Sequence, residues 1–393
     1  MYSKRIVYFG DIGEPNSASA IHVRNRSEIF KSLGYKVDIV CVTPKNGEKL
    51  LSDRTVVYHY LPPIKGKGKI RGIKWNIDLL LANETFPHAK KIIGELNPDI
   101  LILYEINSII LQKKFRKFSK ILKYKLIIET TEWMETEKNR SISANLIIKQ
   151  KDLQKKYTDQ KCKNIIVISS FLEQHYKSQG CNVICLPPTF PTLIKENEVR
   201  RIKDWKKDGD IRLVFAGSVS HKDYLKEVLK ALLIVNEKKI RISFDIIGPS
   251  IQEIMKLINV HDLKRFGIFV HGRLNHEDVL RIVKNMDFSV LLRQNRRYAK
   301  AGVSTKFCEA MKLGVPSICT RVNGTDLFVK NNENGFLIKD NSVYTLVEML
   351  NHILQMGEED ILNMKKSAYK YAEEMFSKEK YIDNMARFLE SCN

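Results

Sequence analysis

The segment STKFCEAMKLGVPSICT, residues 304–320, places one lysine, Lys306, and one carboxylate, Glu309, near the start of a predicted short helix. Ser304 or Thr305 is a good N-cap, because a hydroxyl there can accept a hydrogen bond from the first turn. The remaining N–H groups of a helix start favour phosphate. A carboxylate one turn further on could accept hydrogen bonds from ribose hydroxyls. An ordinary amphipathic helix with a solvated glutamate would also fit the segment.

The apolar positions of this helix predict which face is buried. Phe307, Ala310 and Met311 follow the i, i+3, i+4 spacing of a core-facing stripe. Glu309 shares another stripe with Lys312, and we expect that stripe to face away from the core.

Two further segments favour an anionic ligand. In AGSVSHKDYLKEVLKAL, residues 216–232, a strand ends at Gly217 and Lys222 lies at the next helix start, where its charge suits a diphosphate. In LLRQNRRYAKAGVSTK, residues 291–306, Arg293 and other basic residues follow a strand, and such arginines point into the ligand crevice of an α/β domain. Both segments can also be read as solvated basic loops.

Classical cofactor and metal motifs are absent from the sequence. The loop after the first strand, FGDIGEPNSASAIHVRNR, contains Gly13 and lets a ligand approach the backbone, but it matches neither GxGxxG nor GxxxxGK[ST]. The seven cysteines form no CxxC pair, and no His or Cys cluster has ligand spacing. We therefore expect reduced thiols, no metal and no cofactor.

Short continuous apolar runs alternate with helical patterns along the chain, which is typical of parallel strands buried on both faces. The pattern predicts two Rossmann-like doubly wound α/β domains. The predicted strands cover residues 5–10, 36–43, 99–104, 125–130 and 164–169, and then 211–217, 242–248, 266–272, 287–292 and 316–320.

A proline-rich and charged stretch after residue 186 divides this alternation. We predict an N-terminal domain over 1–190, a linker over 191–210 and a C-terminal domain over 211–370. The helix over 371–393 either packs on the second domain or crosses back to the first. Two such domains imply a cleft that clamps a ligand.

The net charge of +21 in 393 residues predicts an anionic partner, although a lysine-rich compositional bias would give the same number. Residues 1–200 hold 34 basic and 20 acidic residues, a net charge of +14, and the remainder carries +7. No apolar run approaches the roughly 18 residues of a membrane span, and the first residues lack signal-peptide features. We therefore expect a cytosolic protein.

Two basic segments of the first half could contact an anionic membrane. IKGKGKIRGIKW, residues 64–75, reads as a glycine-rich basic loop that carries Trp75. KKFRKFSKILKYK, residues 113–125, reads as a basic amphipathic helix. The alternative for the second segment is a core-facing helix with a solvated basic back.

Most of the chain resembles a two-domain glycosyltransferase of the GT-B fold, close to family 4 of the retaining enzymes. The resemblance is strongest over about 211–340, where FAGSVSHKD, VHGRLNHEDVLRIVKNMDFSVLLR, RYAKAGVSTKFCEAMKLGVPSICT and NENGFLIKD occur in the family's order. VISSFLEQHYKSQGCNVICLPPTF, residues 167–190, resembles the end of the acceptor domain in bacterial polysaccharide transferases.

The resemblance implies roles for individual residues. Glu309 would hold the donor ribose, Lys222 would contact the diphosphate, and backbone at Gly272 would bracket the base. The loop at Gly13 would face the transferred sugar and the acceptor. The full implied donor-binding set is Gly13, Gly217, Ser218, Lys222, Gly272, Arg273, Arg293, Ser304, Thr305, Lys306 and Glu309.

Three positions depart from the family pattern. Ala301 replaces the first acid of the paired-glutamate motif, and Ser218 replaces an arginine at the diphosphate loop, for which Arg293 is the hypothesised substitute. The histidine often found after a first-domain strand is not evident, and the segment offers Glu129 and Glu132 instead. No catalytic residue is assigned with this pattern; Glu132 and Lys222 are the candidates.

The resemblance implies a hexosyltransferase-type enzyme that moves a sugar from a nucleoside-diphosphate donor to a glycan or lipid-linked acceptor. Retention of configuration, a role in polysaccharide biosynthesis and peripheral contact with the inner face of the membrane are further expectations. A sugar-nucleotide epimerase of the same fold is one alternative. A basic nucleic-acid-binding protein is another, but no such motif is present and we expect no nucleic acid.

Overall fold

The computed structural model describes residues 4–13, 17–42, 56–64, 68–136, 141–199, 211–218, 223–322 and 324–392. The chain forms two compact units, each built on one parallel sheet. Unit 1 comprises Met1–Thr189 and Lys378–Asn393, and unit 2 comprises Phe190–Ser377. The predicted fold class, with two doubly wound α/β domains, is confirmed.

The sheet of unit 1 has seven strands in the order β3-β2-β1-β4-β5-β6-β7, and every pair is parallel. The central strands are almost fully buried because helices cover both faces of a doubly wound sheet. Its strands are β1 Lys4–Gly10, β2 Tyr35–Val42, β3 Val57–Leu61, β4 Ile100–Tyr104, β5 Lys125–Thr130, β6 Asn164–Val167 and β7 Asn182–Cys185.

The helices of unit 1 include one from the end of the chain. Met385 and Phe388 of this last helix lie in the same core cluster as Ile6 and Tyr8 of β1. The chain therefore returns to unit 1, after a long helix that ends at Phe376 in unit 2. The helices are α1 Ala18–Ser32, α2 Gly68–Leu81, α3 Thr85–Leu96, α4 Ile109–Leu122, α5 Ile142–Leu153, α6 Ser170–Lys177 and α14 Ile382–Ser391.

The sheet of unit 2 has six parallel strands in the order β10-β9-β8-β11-β12-β13. Its strands are β8 Ile211–Ala216, β9 Ile242–Ile247, β10 Ile268–Gly272, β11 Phe288–Leu291, β12 Ser317–Thr320 and β13 Gly335–Ile338. Its helices are α7 Leu225–Val235, α8 Ile251–Ile258, α9 His276–Lys284, α10 Arg297–Ala301, α11 Thr305–Lys312, α12 Val343–Gln355 and α13 Glu358–Phe376.

The ten predicted strands are present, and three short strands, β3, β7 and β13, were not predicted. Both β3 and β7 are only partly buried edge strands, so they lack the continuous apolar run that marks a central strand. The prediction of a basic loop over 64–75 is wrong from Gly68 onward, because helix α2 begins there although the segment is rich in glycine.

Each sheet has one point where the strand order reverses. The reversal lies between β1 and β4 in unit 1, and between β8 and β11 in unit 2. Open α/β sheets bind ligands outside the carboxyl ends of the strands at such a point. We call this side of each sheet its carboxyl edge, and both candidate sites lie there.

Candidate functional site

The carboxyl edge of unit 2 is lined with glycine backbone. The N–H of Gly217 donates to the carbonyl of Ile247 at 3.0 Å, and the N–H of Gly248 donates to that of Gly272 at 2.7 Å. Gly248 has a φ of +115°, and a Cβ there would lie 1.8 Å from the carbonyl oxygen of Gly217. Three adjacent strands thus end without side chains, and the exposed Arg273 follows the last of them. A flat ligand group can approach the backbone here.

The start of α11 is capped as predicted. The Oγ of Ser304 accepts a hydrogen bond from the N–H of Phe307 at 3.3 Å. The N–H of Ser304 in turn donates to the Oγ1 of Thr325 at 3.2 Å, which anchors the cap to the following loop. Thr305 and Lys306 form the first turn and are partly exposed. The helix start therefore keeps a fixed position at the edge.

Glu309 is buried, so the alternative of a solvated glutamate is wrong. Glu309 is only 3% exposed, and its Oε2 lies 2.9 Å from the Nζ of Lys306. Its Oε1 lies 3.6 Å from the Nε2 of His276, the first residue of α9. The carboxylate is thus held from two sides by groups that are themselves partly exposed.

Lys312 is buried for the same reason as Glu309. Helix α11 packs against α13 as well as against the sheet, so it has no fully solvated face. The Nζ of Lys312 lies 2.7 Å from the Oε1 of Glu373 and donates to the Oγ of Ser377 at 3.1 Å. The residue spacing within α11 could not predict this burial, because the helix that covers it, α13, lies later in the chain.

His276 was not singled out in the sequence. The only local signal is the N-cap Asn275, whose side chain accepts from the N–H of Asp278 and fixes the start of α9. The contact between His276 and Glu309 joins residues that are far apart in the chain. Tertiary structure alone brings this imidazole to the site.

Arg293 lies at the reversal point of unit 2, just past β11, while Gly217 and the exposed Ser218 lie just past the neighbouring β8. The backbone N–H of Arg293 donates to the Oγ1 of Thr320 at 2.8 Å, which fixes the loop after β11 to the end of β12. Among the described residues, the buried Nε of Arg293 has no hydrogen-bond partner, and it lies 3.8 Å from the Oδ1 of Asp223.

Lys222 lies outside the residues that the structure describes, so its predicted diphosphate contact stays a prediction. The next residue, Asp223, forms an antiparallel β-bridge with Arg293. Ala301, which departs from the family pattern, is fully buried at the end of α10.

The carboxyl edge of unit 1 contains a cavity of about 960 Å³. The loops after β1 and β4 form its base, and the loop after β1 contributes Gly13, which has a φ of +58°. Helix α2 contributes Arg71, Lys74 and Trp75 to one wall, and α3 contributes His88. The lining therefore combines these basic side chains with three carboxylates, Asp11, Asp78 and Glu84.

Glu132 follows β5 and belongs to an ion network. Its Oε1 lies 3.2 Å from the Nζ of Lys151, which also lies 3.1 Å from the Oε2 of Glu105. The Oε1 of Glu105 accepts the N–H of Thr131 at 2.6 Å. Burial alone would raise the pKa of Glu105, but Lys155 and Lys151 hold that pKa well below its ordinary value. Glu132 itself is partly exposed, and it is not among the described residues that line the cavity.

Glu129 is a buried structural group. Its Oε2 accepts the hydroxyl of Tyr8 at 2.7 Å, while its Oε1 lies 2.8 Å from the Nε2 of His22 and 3.3 Å from the Nε of Arg26. Burial would raise the pKa of Glu129, but the hydrogen bonds and charges of His22, Arg26 and Tyr8 lower it. Being 1% exposed, Glu129 does not replace a catalytic histidine at the surface.

The predicted basic helix is α4, and its aromatic residues face inward. Phe115 and Phe118 are buried and contact Phe86 edge-on. The structure therefore supports the alternative for this segment, a core-facing helix with a basic back.

Within the described ranges, no group of three or more His, Cys, Asp or Glu side chains could hold a metal ion. Among the helices that the structure describes, none is long and apolar enough to cross a membrane.

Part of this chain is similar in sequence to known proteins. Residues 196–375 match the family model described as glycosyl transferases group 1. An uncharacterized glycosyltransferase from Methanocaldococcus jannaschii is 26% identical over 190 residues, which cover 44% of this chain. This chain spans about half (47%) of the length of that relative.

Solved structures share the fold over nearly the whole chain. Sucrose-phosphate synthase from Thermosynechococcus elongatus has a TM-score of 0.69 at 12% identity, covering 98% of both chains. HepE from Anabaena, solved in complex with UDP-glucose, has a TM-score of 0.68 at 12% identity, covering 98% of this chain and 99% of its own. A glycosyltransferase from Rickettsia africae has a TM-score of 0.69 at 16% identity, covering 99% of each. Residues 196–375 therefore match the group 1 glycosyl transferases, and the chain as a whole has the GT-B fold.

Proposed function

We propose that this chain transfers a sugar from a nucleoside-diphosphate-sugar donor, bound by unit 2, to a glycan or lipid-linked glycan acceptor, bound by unit 1. The observation that carries the proposal is the buried carboxylate of Glu309, held by Lys306 and His276 one turn from the capped start of α11. This carboxylate lies inside the segment that matches the family model.

In this proposal the donor ribose hydroxyls donate to Glu309. Lys306 orients the carboxylate and His276 lies on its other side, so little ordering is needed when the donor binds. The diphosphate binds the start of α11 together with Lys222 and Arg293. The glycine backbone at Gly272 leaves room for the base. The UDP-glucose bound to the similar HepE makes a uridine nucleotide the first donor to test.

Catalysis in this proposal rests on positioning and electrostatics rather than on a side-chain base. Cations at the diphosphate stabilise the charge that develops on the leaving group. The leaving diphosphate then takes the acceptor proton, and the sugar configuration is retained. Glu132 remains a candidate for a role at the acceptor. No cofactor takes part in this scheme.

The proposed biological setting is polysaccharide or glycoconjugate synthesis on the cytoplasmic side of a membrane. The net charge of +14 in residues 1–200 supports peripheral contact with an anionic surface. The enzyme would then meet lipid-linked acceptors where they are made.

The experiment is thermal unfolding with UDP, GDP, ADP and a short DNA duplex at moderate salt. A nucleotide at about 100 times its dissociation constant adds about 2.7 kcal/mol and raises the midpoint by a few degrees. We expect one nucleotide to give this shift, and Glu309→Ala to lose most of it. Glu373→Ala is the matched control, because it also removes a carboxylate paired with a lysine but lies on α13.

Two outcomes would contradict the proposal. If only DNA raised the unfolding midpoint, and did so less at higher salt, the net positive charge would indicate nucleic-acid binding instead. Conversion of a UDP-sugar to its epimer, in the absence of any acceptor, would favour the epimerase alternative. Transfer to an added glycan acceptor without epimerisation is the expected result.

A further inference from the structure

Helix α2 carries an exposed apolar stripe. Ile70, Ile73, Ile77 and Leu80 recur at helical spacing and are 63%, 60%, 42% and 42% exposed. Leu81, next to the last of them, is 55% exposed. Single exposed apolar side chains are ordinary, but a continuous stripe on one helix marks an interaction surface.

A second stripe of the same helix forms the wall of the unit 1 cavity. It contains Arg71, Lys74 and Trp75, which line that space. The one acidic residue of α2, Asp78, is 5% exposed and its Oδ1 accepts the N–H of Glu84 at 2.7 Å. The exposed charge of the described part of α2 is therefore positive.

The neighbouring helix adds to this charge without adding an apolar face of its own. The Nζ of Lys114 on α4 donates to the carbonyls of Leu81 and Ala82 at 2.7 and 2.8 Å, at the end of α2. The aromatic side chains of α4 are buried, as described above. Basic charge from two helices thus surrounds an apolar stripe that belongs to one.

We propose that the apolar stripe of α2 lies on an anionic lipid bilayer, and that the cavity behind α2 takes an acceptor presented by a lipid of that bilayer. Apolar side chains would enter the interface, while Arg71 and Lys74 would lie at the level of the lipid phosphates. Pairing of two α2 helices is less favourable, because it would bring these cations together. The acceptor half of this inference rests on the proposed function, and the bilayer half does not.

The bilayer half is tested by flotation with vesicles of phosphatidylglycerol and phosphatidylcholine at a ratio of 1:3, and with pure phosphatidylcholine. We expect binding to the anionic vesicles only. Arg71→Gln with Lys74→Gln should weaken that binding about thirtyfold, from roughly 1 kcal/mol per basic residue. Lys117→Gln with Lys120→Gln on α4 is the matched charge control and should weaken it less.

The apolar stripe is tested by Ile70→Ser with Ile73→Ser. This pair should abolish measurable vesicle binding, whereas Ile121→Ser with Ile142→Ser, which changes isoleucines 74% and 89% exposed on other helices, should not. Equal binding of all variants, or a dimer that dissociates in the α2 variant, would overturn the bilayer assignment.

The cavity is tested with farnesyl phosphate as the probe and farnesol as its uncharged control. We expect farnesyl phosphate to bind unit 1 more tightly than farnesol, and the difference to vanish in Arg71→Gln with Lys74→Gln. A difference that persists in that variant would overturn the cavity assignment. These assays need no sugar donor, so their failure and a failure of the nucleotide assay are distinguishable.

Discussion

The two sheets carry different chemistry at their carboxyl edges, although both are parallel and both reverse their strand order once. In unit 1 the edge opens into a cavity of about 960 Å³, and its carboxylates at Glu105 and Glu129 are paired and buried. In unit 2 the edge combines bare glycine backbone with cations and the buried carboxylate of Glu309.

Burial of the carboxylate alone does not distinguish Glu129 from Glu309, but the exposure of their partners does. Glu129 and Glu309 are 1% and 3% exposed. The partners of Glu129 are buried with it, whereas Lys306 and His276 are 39% and 29% exposed beside Glu309. A ligand can therefore share the partners of Glu309 but cannot reach those of Glu129.

The largest effect is expected for Glu105→Gln in unit 1. Removing this charge leaves Lys151 and Lys155 without their common buried partner, which costs about 3–5 kcal/mol of unfolding free energy at neutral pH. Chemical denaturation measures this loss. Nucleotide affinity should be unchanged, and a loss of affinity would break the distinction between the two edges.

The same variant has a defined pH dependence. Because folding lowers the pKa of Glu105, its contribution is complete above the ordinary carboxyl range and is lost as the pH falls. The difference between wild type and variant should shrink by about 1.4 kcal/mol for each pH unit below about 4. A difference that stays constant from pH 7 to pH 3 would contradict this account.

The next effect is expected for Gly248→Ala in unit 2. The added Cβ would meet the carbonyl of Gly217 at 1.8 Å, so the strand ends must separate, at a cost of about 1–3 kcal/mol or more. We also expect weaker nucleotide binding. Gly272→Ala is the control for stability only, because it has a φ of +66° but no atom of the described residues within 4 Å of the added Cβ. Equal effects would mean that backbone strain, not contact, decides.

A smaller effect is expected for Arg293→Ala. A charged hydrogen bond to the diphosphate contributes about 1.5–3 kcal/mol, so the nucleotide dissociation constant should rise by about 10- to 150-fold. Isothermal titration calorimetry measures this change. Arg281→Ala, which removes an arginine 76% exposed on α9, should leave the constant unchanged. Full donor affinity in Arg293→Ala would remove Arg293 from the site.

The smallest effect is expected for His276→Gln. Its imidazole is partly exposed and 3.6 Å from Glu309, so the pair contributes at most about 1 kcal/mol, or about fivefold in nucleotide affinity. Glu309→Ala should exceed this loss clearly. If the two variants are equal, Glu309 acts only through His276.

Local sequence patterns predicted much of unit 2. Ser304 caps α11, Phe307 and Met311 face the core, and the predicted strands form one sheet, because these features depend on residues close in the chain. The predicted role of Glu309 stays a prediction. Its burial could not be predicted from the residue spacing within α11, because α9 and α13, which pack against α11, lie in other parts of the chain.

The same limit explains unit 1. Residues 64–75 were interpreted as a loop because glycines lower helix propensity, whereas α2 forms and covers the cavity with Arg71, Lys74 and Trp75. The segment over 113–125 gave the correct helix but left its orientation open. Only packing against Phe86 decides that its aromatic residues are buried.

The sequence by itself determined the two parallel sheets, the capped start of α11 and the excess of positive charge, because alternating apolar runs, capping residues and composition act over short distances. The tertiary structure decided which charges are accessible. It buried Glu129 with Arg26, placed His276 beside Glu309 and turned the apolar stripe of α2 outward. Exposure depends on which elements cover a side chain, and residues distant in the chain supply those elements.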